Sequence, residues 1–192
     1  MGVSTDSIIV VGAGAPGLSV ALHLSLRGYT NVSVFSKDDY IPFGDLTNVY
    51  RAAQDAGVQF FLGQQVDQIA YVSTLTGKKN AGIRTRNGFY PSSLVIIEAG
   101  AGDSHSSEIG QLHAPNSLAI PLSCYTSTNS NSFVEYVPGT SSSVILLSGN
   151  LVQTSQISLA GPQVLDLLEE KSGQQSAVQV QKVSEIKPLS KL

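Results

Sequence analysis

The stretch from Ser7 to Asp39, SIIVVGAGAPGLSVALHLSLRGYTNVSVFSKDD, admits few folds. Ile8, Ile9, Val10 and Val11 form the continuous apolar run of a parallel strand buried on both faces. From Ala15 to Arg27 the apolar residues Leu18, Ala21, Leu22 and Leu26 recur at helical spacing, and Gly28 stops the helix. Val32 to Phe35 is a second strand, so the unit closes as a tight right-handed crossover. Gly12, Gly14 and Gly17 make G-x-G-x-x-G at the strand-to-helix turn. The first glycine permits the turn, the second lets a diphosphate approach the backbone, and the third lets helix pack on strand. Pro16 fits there, because an early helical residue has no N–H partner to lose. The pattern predicts a cradle for a dinucleotide. Its second strand ends on Ser36, where a carboxylate usually holds the ribose hydroxyls. A neutral acceptor in place of charge-assisted hydrogen bonds lowers the expected affinity roughly ten- to a hundredfold, unless Asp38 or Asp39 reaches back. Lys37 offers the weaker alternative of tolerating a 2′-phosphate.

The rest of the chain extends this frame. Thr47 to Ala56 reads as a helix with Val49, Ala52 and Ala53 inward, ended by Gly57, and Val58 to Leu62 as a third parallel strand. Val66 to Leu75, Lys79 to Arg86 and Gly88 to Pro91 are strand-like and separated by TGKKN and RNG turns, which predicts an antiparallel meander. Leu94 to Ile97 is another buried strand, followed by the glycine-rich EAGAGDS. Ser104 to Ser132 is rich in Ser, Thr and Asn, with short strands expected around Leu118 to Leu122. Phe133 to Val137 and Val144 to Leu147 are strands, and Leu159 to Glu170 is a helix. These elements make one domain over residues 1–170, and from Lys171 the pattern predicts a polar, loosely ordered tail over 171–192.

Composition narrows the function classes. With 42% hydrophobic and 13% charged residues the chain is globular, and a net charge of −3 gives no electrostatic reason to expect nucleic acid or an anionic membrane. Small molecules or proteins are the better expectation as partners, with a small-molecule substrate the leading one. Cys124 is the single cysteine, so neither an internal disulfide nor a Cys-rich metal site is available, and no other ligand set for a metal stands out. Met1 to Ser7 is not a secretory leader, and no apolar run spans a bilayer. Ser190, Lys191 and Leu192 spell the address read by the peroxisomal import receptor, which places the expected location in the peroxisome.

Candidates for chemistry cluster after the fourth buried strand. His105 and His113, with Glu98, Asp103 and Glu108, surround the glycine-rich turn, and a His beside a carboxylate is a general base by type. Exposed loop polars are the competing reading. Cys124 and Tyr125 attack or donate if exposed, whereas a lone Cys is more often a small buried hydrophobe. His23 belongs to the first helix as a packed or surface residue.

IIVVGAGAPGLSVALHLSLRGYTNVSVFSKDDYIP resembles the opening of fungal amadoriases (fructosyl amino acid oxidases) and of the saccharopine and sarcosine oxidase relatives in the D-amino-acid-oxidase group of flavoproteins. YRAAQDAGVQFFLGQQVDQI resembles their next helix and strand, LVIIEAGAGDS their CAGA turn beside the flavin, and SSVILLSG with GPQVLDLLEE their last strand and helix. Several such oxidases also end in a peroxisomal tripeptide. The resemblance implies a three-layer, glutathione-reductase-like FAD-binding domain of Rossmann type with a small antiparallel meander. It further implies FAD held through Gly12, Gly14, Gly17, Ser36, Val66, Ala99, Gly100 and Gly149. The implied activity is oxidation of a C–N bond to an imine with release of peroxide. The departures are equally specific: Pro42 leads almost directly to Thr47, so the substrate domain interleaved in those relatives is largely missing, and the cysteine that carries covalent flavin has no counterpart. A rival expectation is therefore a redox-silent descendant that has lost FAD. It would be either an isomerase, cyclase or lyase using His105, His113 or Cys124, or a binding subunit whose missing-domain face is covered by a partner or a second copy.

Overall fold

The computed structural model describes residues 6–41, 45–75, 77–98, 133–148 and 160–184. Strand β1 (Ile8–Val11) lies at the centre of a six-stranded sheet, completed by β2 (Val32–Phe35), β3 (Gln59–Phe61), β7 (Leu94–Glu98), β8 (Phe133–Tyr136) and β9 (Val144–Ser148). The order is β3-β2-β1-β7-β9-β8, parallel except for the edge strand β8. β4 (Val66–Thr74), β5 (Gly77–Thr85) and β6 (Gly88–Pro91) form the separate antiparallel meander. Helices α1 (Ala15–Leu26), α2 (Asp45–Asp55) and α3 (Ala160–Ser184) complete the described elements.

Period-2 alternation divides the core between the two faces of the sheet. Ile8, Val10, Val34, Leu94, Ile96, Ile145 and Leu147 face the helices and pack with Leu18, Val20, Leu24, Ala53 and Val164. Ile9, Val11, Phe35, Val95, Ile97, Val144 and Leu146 face the meander and pack with Val66, Ile69 and Ile83. The result is the expected three-layer α/β Rossmann-type domain, helices on one side and meander on the other. Phe35 stacks on Phe61 at 4.5 Å between ring centres, and Tyr90 of β6 meets Phe35 edge-on at 4.8 Å, so aromatic contacts clamp the meander to the sheet.

Three details depart from the helical spacing read above. Leu26 is 70% exposed, because α1 turns Val20 and Leu24 into the core instead. Ala52 of α2 is exposed too, because α2 turns Ala53 into the core, with Tyr50 packing edge-on against Phe60. Third, the last helix does not stop at Glu170 but continues to Ser184. Lys171 fixes this continuation: its Nζ donates to the Ser142 carbonyl at 2.8 Å and lies 5.4 Å from the centre of the Tyr136 ring. Beyond it, QQSAVQVQKV offers mostly good helix formers and no proline.

α1 and α3 touch closely at Gly161, where a Cβ would collide with the His23 ring; His23 Nδ1 is itself 2.8 Å from the Ser19 carbonyl. His23 is thus a helix-packing residue. No described helix is long and apolar enough to cross a membrane.

Candidate functional site

The crevice of such a sheet forms at the carboxyl ends of its strands, where the strand order reverses. Here the reversal falls between β1, which leads through α1 to β2 on one side, and β7 on the other. Gly12 leaves β1 at φ +115°, a conformation that an L side chain rarely adopts, and its amide donates to the Phe35 carbonyl at 2.8 Å. Gly14 is the N-cap of α1 without any side-chain cap, and Pro16 occupies the first turn. The opening of α1 therefore presents backbone N–H groups and the positive end of the helix dipole, the donor set that a diphosphate needs.

Those donors already hold an anion. The amide of Gly14 donates to Glu98 Oε2 at 3.0 Å, and Gly17 lies against the same carboxylate. A Cβ on Gly12 or Gly17 would lie 2.7 Å from Glu98 Oε2, and one on Gly14 would collide with Oε1. The glycines thus provide the close approach that their spacing predicts, with an internal carboxylate as the occupant. Burial pushes the Glu98 carboxyl up from 4.5 to about 7, against hydrogen bonding to the backbone, which pulls it down. The sequence groups Glu98 with His105, His113, Asp103 and Glu108 around the glycine-rich turn; those four lie outside the described residues, and the fold sets Glu98 in the cradle.

A sequence signal for this existed. Glu98 is the one acidic residue of the otherwise apolar strand LVIIE, and shares its parity with Leu94 and Ile96 on the helix-facing side. Because β1 and β7 run parallel with Val11 opposite Ile97, the next step along both strands sets Gly12 beside Glu98.

The rim of the crevice beside the cradle is built from the loops after β2 and β3. Ser36 is buried, and its Oγ accepts from the Asp38 amide at 3.2 Å, closing a local turn. The Ser36 carbonyl accepts from the Gln64 amide at 2.7 Å, and the Asp38 carbonyl from the Gly63 amide at 2.9 Å. Asp38 and Asp39 are both exposed. Val66 is 4% exposed, begins β4 directly after this junction, and sends its side chain into the core on the meander side.

The structure thus brings Gly12, Gly14 and Gly17 together around Glu98, and sets Ser36 and Val66 along the same edge of the sheet. Ala99, Gly100, His105, His113, Cys124 and Gly149 lie outside the described residues, as do the strands expected around Leu118 to Leu122 and the Ser190–Lys191–Leu192 terminus. No group of three or more metal-ligating side chains occurs among the described residues. For FAD, the donor set fits a diphosphate, whereas the seat as it stands does not, since a carboxylate and a diphosphate compete for the same amides.

No protein-family model matches the sequence, and no curated protein does. Solved structures do. The crystal structure of THI4 from Thermovibrio ammonificans is similar at a TM-score of 0.62 and 14% identity, over 88% of this chain and 90% of that one. The deglycating fructosamine oxidase of Aspergillus fumigatus, Amadoriase II, aligns at a TM-score of 0.42 and 18% identity, over 54% of this chain and 48% of that one. CtdE, solved in complex with FAD, aligns at 0.41 and 16%, over 50% of this chain and 39% of that one. This chain therefore spans less than half the length of the last two. At such identities the likeness is one of fold, and the THI4 match over nearly the whole of both chains agrees with the three-layer Rossmann-type α/β architecture described above.

Proposed function

We propose that this chain is a dinucleotide-binding protein of the FAD-dependent oxidoreductase type, and that it oxidises a C–N bond in an amine or amino acid, the activity that the sequence resemblance to amine oxidases implies. One observation carries the reading: at the switch point of the sheet, the amide of Gly14 donates to a carboxylate seated at the start of a helix, within a cradle of Gly12, Gly14 and Gly17 too tight for any Cβ. An anion hole of that build, after a buried strand and before a helix, is the diphosphate seat of nucleotide folds. The similarity to THI4 over nearly the whole of both chains supports the fold on which the reading depends.

A second reading, a redox-silent descendant of the same fold, draws support from the same place. With Glu98 in the seat the resting protein is already satisfied without a nucleotide, and Ser36 supplies no charge to a ribose. Titrating the purified full chain with FAD, followed by flavin fluorescence and absorbance, separates the two. Saturable uptake with amine-dependent peroxide supports the oxidase; uptake without peroxide supports a redox-silent form that keeps the nucleotide; a folded protein that takes up no FAD at any concentration removes the oxidase and leaves the descendant that has lost FAD. Import into the peroxisome through Ser190, Lys191 and Leu192 belongs to the proposal, and deleting that tripeptide from a fluorescent fusion should abolish peroxisomal targeting.

A further inference from the structure

We infer that Glu98 is a built-in competitor for the diphosphate of a dinucleotide: its carboxylate holds the amides of the cradle in the resting protein and has to turn away before a nucleotide takes them. The inference rests on the nucleotide reading above and adds the residue that regulates the site.

Three independent features converge on Glu98. Strand register places it, since Val11 pairs with Ile97 and the following residues, Gly12 and Glu98, stand side by side where the two strands leave the sheet. Space defines its position, because Cβ atoms at Gly12, Gly14 and Gly17 would all run into its carboxylate, so it fills the volume that the glycines keep clear. Chemistry defines its role: it accepts from the Gly14 amide and lies against Gly17, at the helix start where a phosphate oxygen would sit. Among the described residues its carboxylate enters no ion pair that would assign it another task.

A carboxylate and a diphosphate cannot share one helix start, both because the volume is single and because like charges a few ångströms apart repel strongly in a partly buried site. Glu98 stands at the end of its strand, with three side-chain torsions between backbone and carboxylate, so it can leave by rotation while β7 stays in register. The apparent dissociation constant is then the intrinsic one divided by the fraction of molecules with Glu98 turned out. If one molecule in ten or fewer is open, removing the carboxylate tightens binding at least tenfold, equivalent to about 1.4 kcal/mol.

The test uses the full chain and three ligands, ADP, FAD and adenosine, measured by calorimetry on the wild type, Glu98→Ala and Glu98→Gln. The expected result is that ADP and FAD bind at least tenfold more tightly to Glu98→Ala and to an intermediate degree to Glu98→Gln. Adenosine, which lacks the diphosphate, should gain nothing. Without ligand, the amide resonances of Gly14 and Gly17 should move in Glu98→Ala, and in the wild type the same resonances should move on adding ADP. Equal binding of ADP by wild type and both variants overturns the inference and leaves the nucleotide reading standing. Absence of ADP and FAD binding to every folded variant overturns both. Should Glu98→Ala fail to fold, the near-isosteric Glu98→Gln carries the test: a several-fold gain for ADP over adenosine supports the inference, and no gain defeats it.

Discussion

Asn80 and Glu98 are both polar side chains set among apolar neighbours, one on each side of the central sheet, and the fold satisfies them in different ways. Asn80, 3% exposed on β5, spends all its groups within the protein. Its Nδ2 donates to Ser92 O at 2.9 Å and to Ser92 Oγ at 3.1 Å, its Oδ1 accepts from the Gly82 amide at 2.7 Å, and its own amide donates to Ser143 Oγ at 2.7 Å. Nothing there carries charge. Glu98 carries a charge that burial opposes, and its partner is a helix-terminal amide that a ligand would also use. A neutral, closed network locks meander to sheet; a titrating group on borrowed donors leaves the crevice able to exchange its occupant.

The strongest way to break the locked centre is Asn80→Ala. It orphans the buried Gly82 amide and the Ser92 carbonyl together, and should cost about 4 kcal/mol in urea denaturation, with the same loss at pH 5 and pH 8.

The exchangeable centre should behave in the opposite manner. Folding raises the Glu98 pKa from 4.5 to about 7, so the protonated form is favoured by the native state. That stabilisation is fully present below the unfolded value and is lost as pH rises through about 7, which makes the protein less stable at pH 8 than at pH 5 by roughly 3 kcal/mol from this group. In Glu98→Gln this part of the pH slope should vanish, and a slope that persists unchanged would show that Glu98 does not titrate there.

A third change sharpens the crevice side. Ser36→Glu returns a carboxylate to the end of β2, and in the Glu98→Ala background it should tighten FAD roughly tenfold by calorimetry. The buried turn made by Ser36 Oγ sets the cost of this substitution, so the gain is to be judged on binding rather than on stability. Smallest of all is the reference pair Arg27 and Glu169, which bridges α1 to α3 with both side chains about half exposed. Arg27→Ala should cost less than about 1 kcal/mol in the same denaturation assay and should leave nucleotide binding unaltered.

Local chemistry made most of the fold legible. Four consecutive apolar residues, Ile8 to Val11, fit only a strand covered on both faces; Gly28 and Gly57 end their helices at φ +101° and +93°; the TGKKN and RNG turns announce the meander. Helical spacing failed where more than one helix shares the core. Leu26 was counted inward by period, but Val20 and Leu24 hold the face turned to the sheet. The end of α3 was misread because polar residues after Lys171 look like a tail, while the tether from Lys171 to Ser142 is a contact 29 residues apart in the chain.

The chain itself determined that a glycine cradle would open at the end of β1, because only glycine tolerates the backbone turn at Gly12 and the close approaches at Gly14 and Gly17. Which anion fills it was decided by tertiary structure alone. Eighty-four residues separate Gly14 from Glu98, and only the parallel register of β1 with β7 turns that separation into a hydrogen bond of 3.0 Å. Spacing rules describe groups that meet along one helix or strand, whereas pairing between distant strands is set by how the whole sheet buries its two faces.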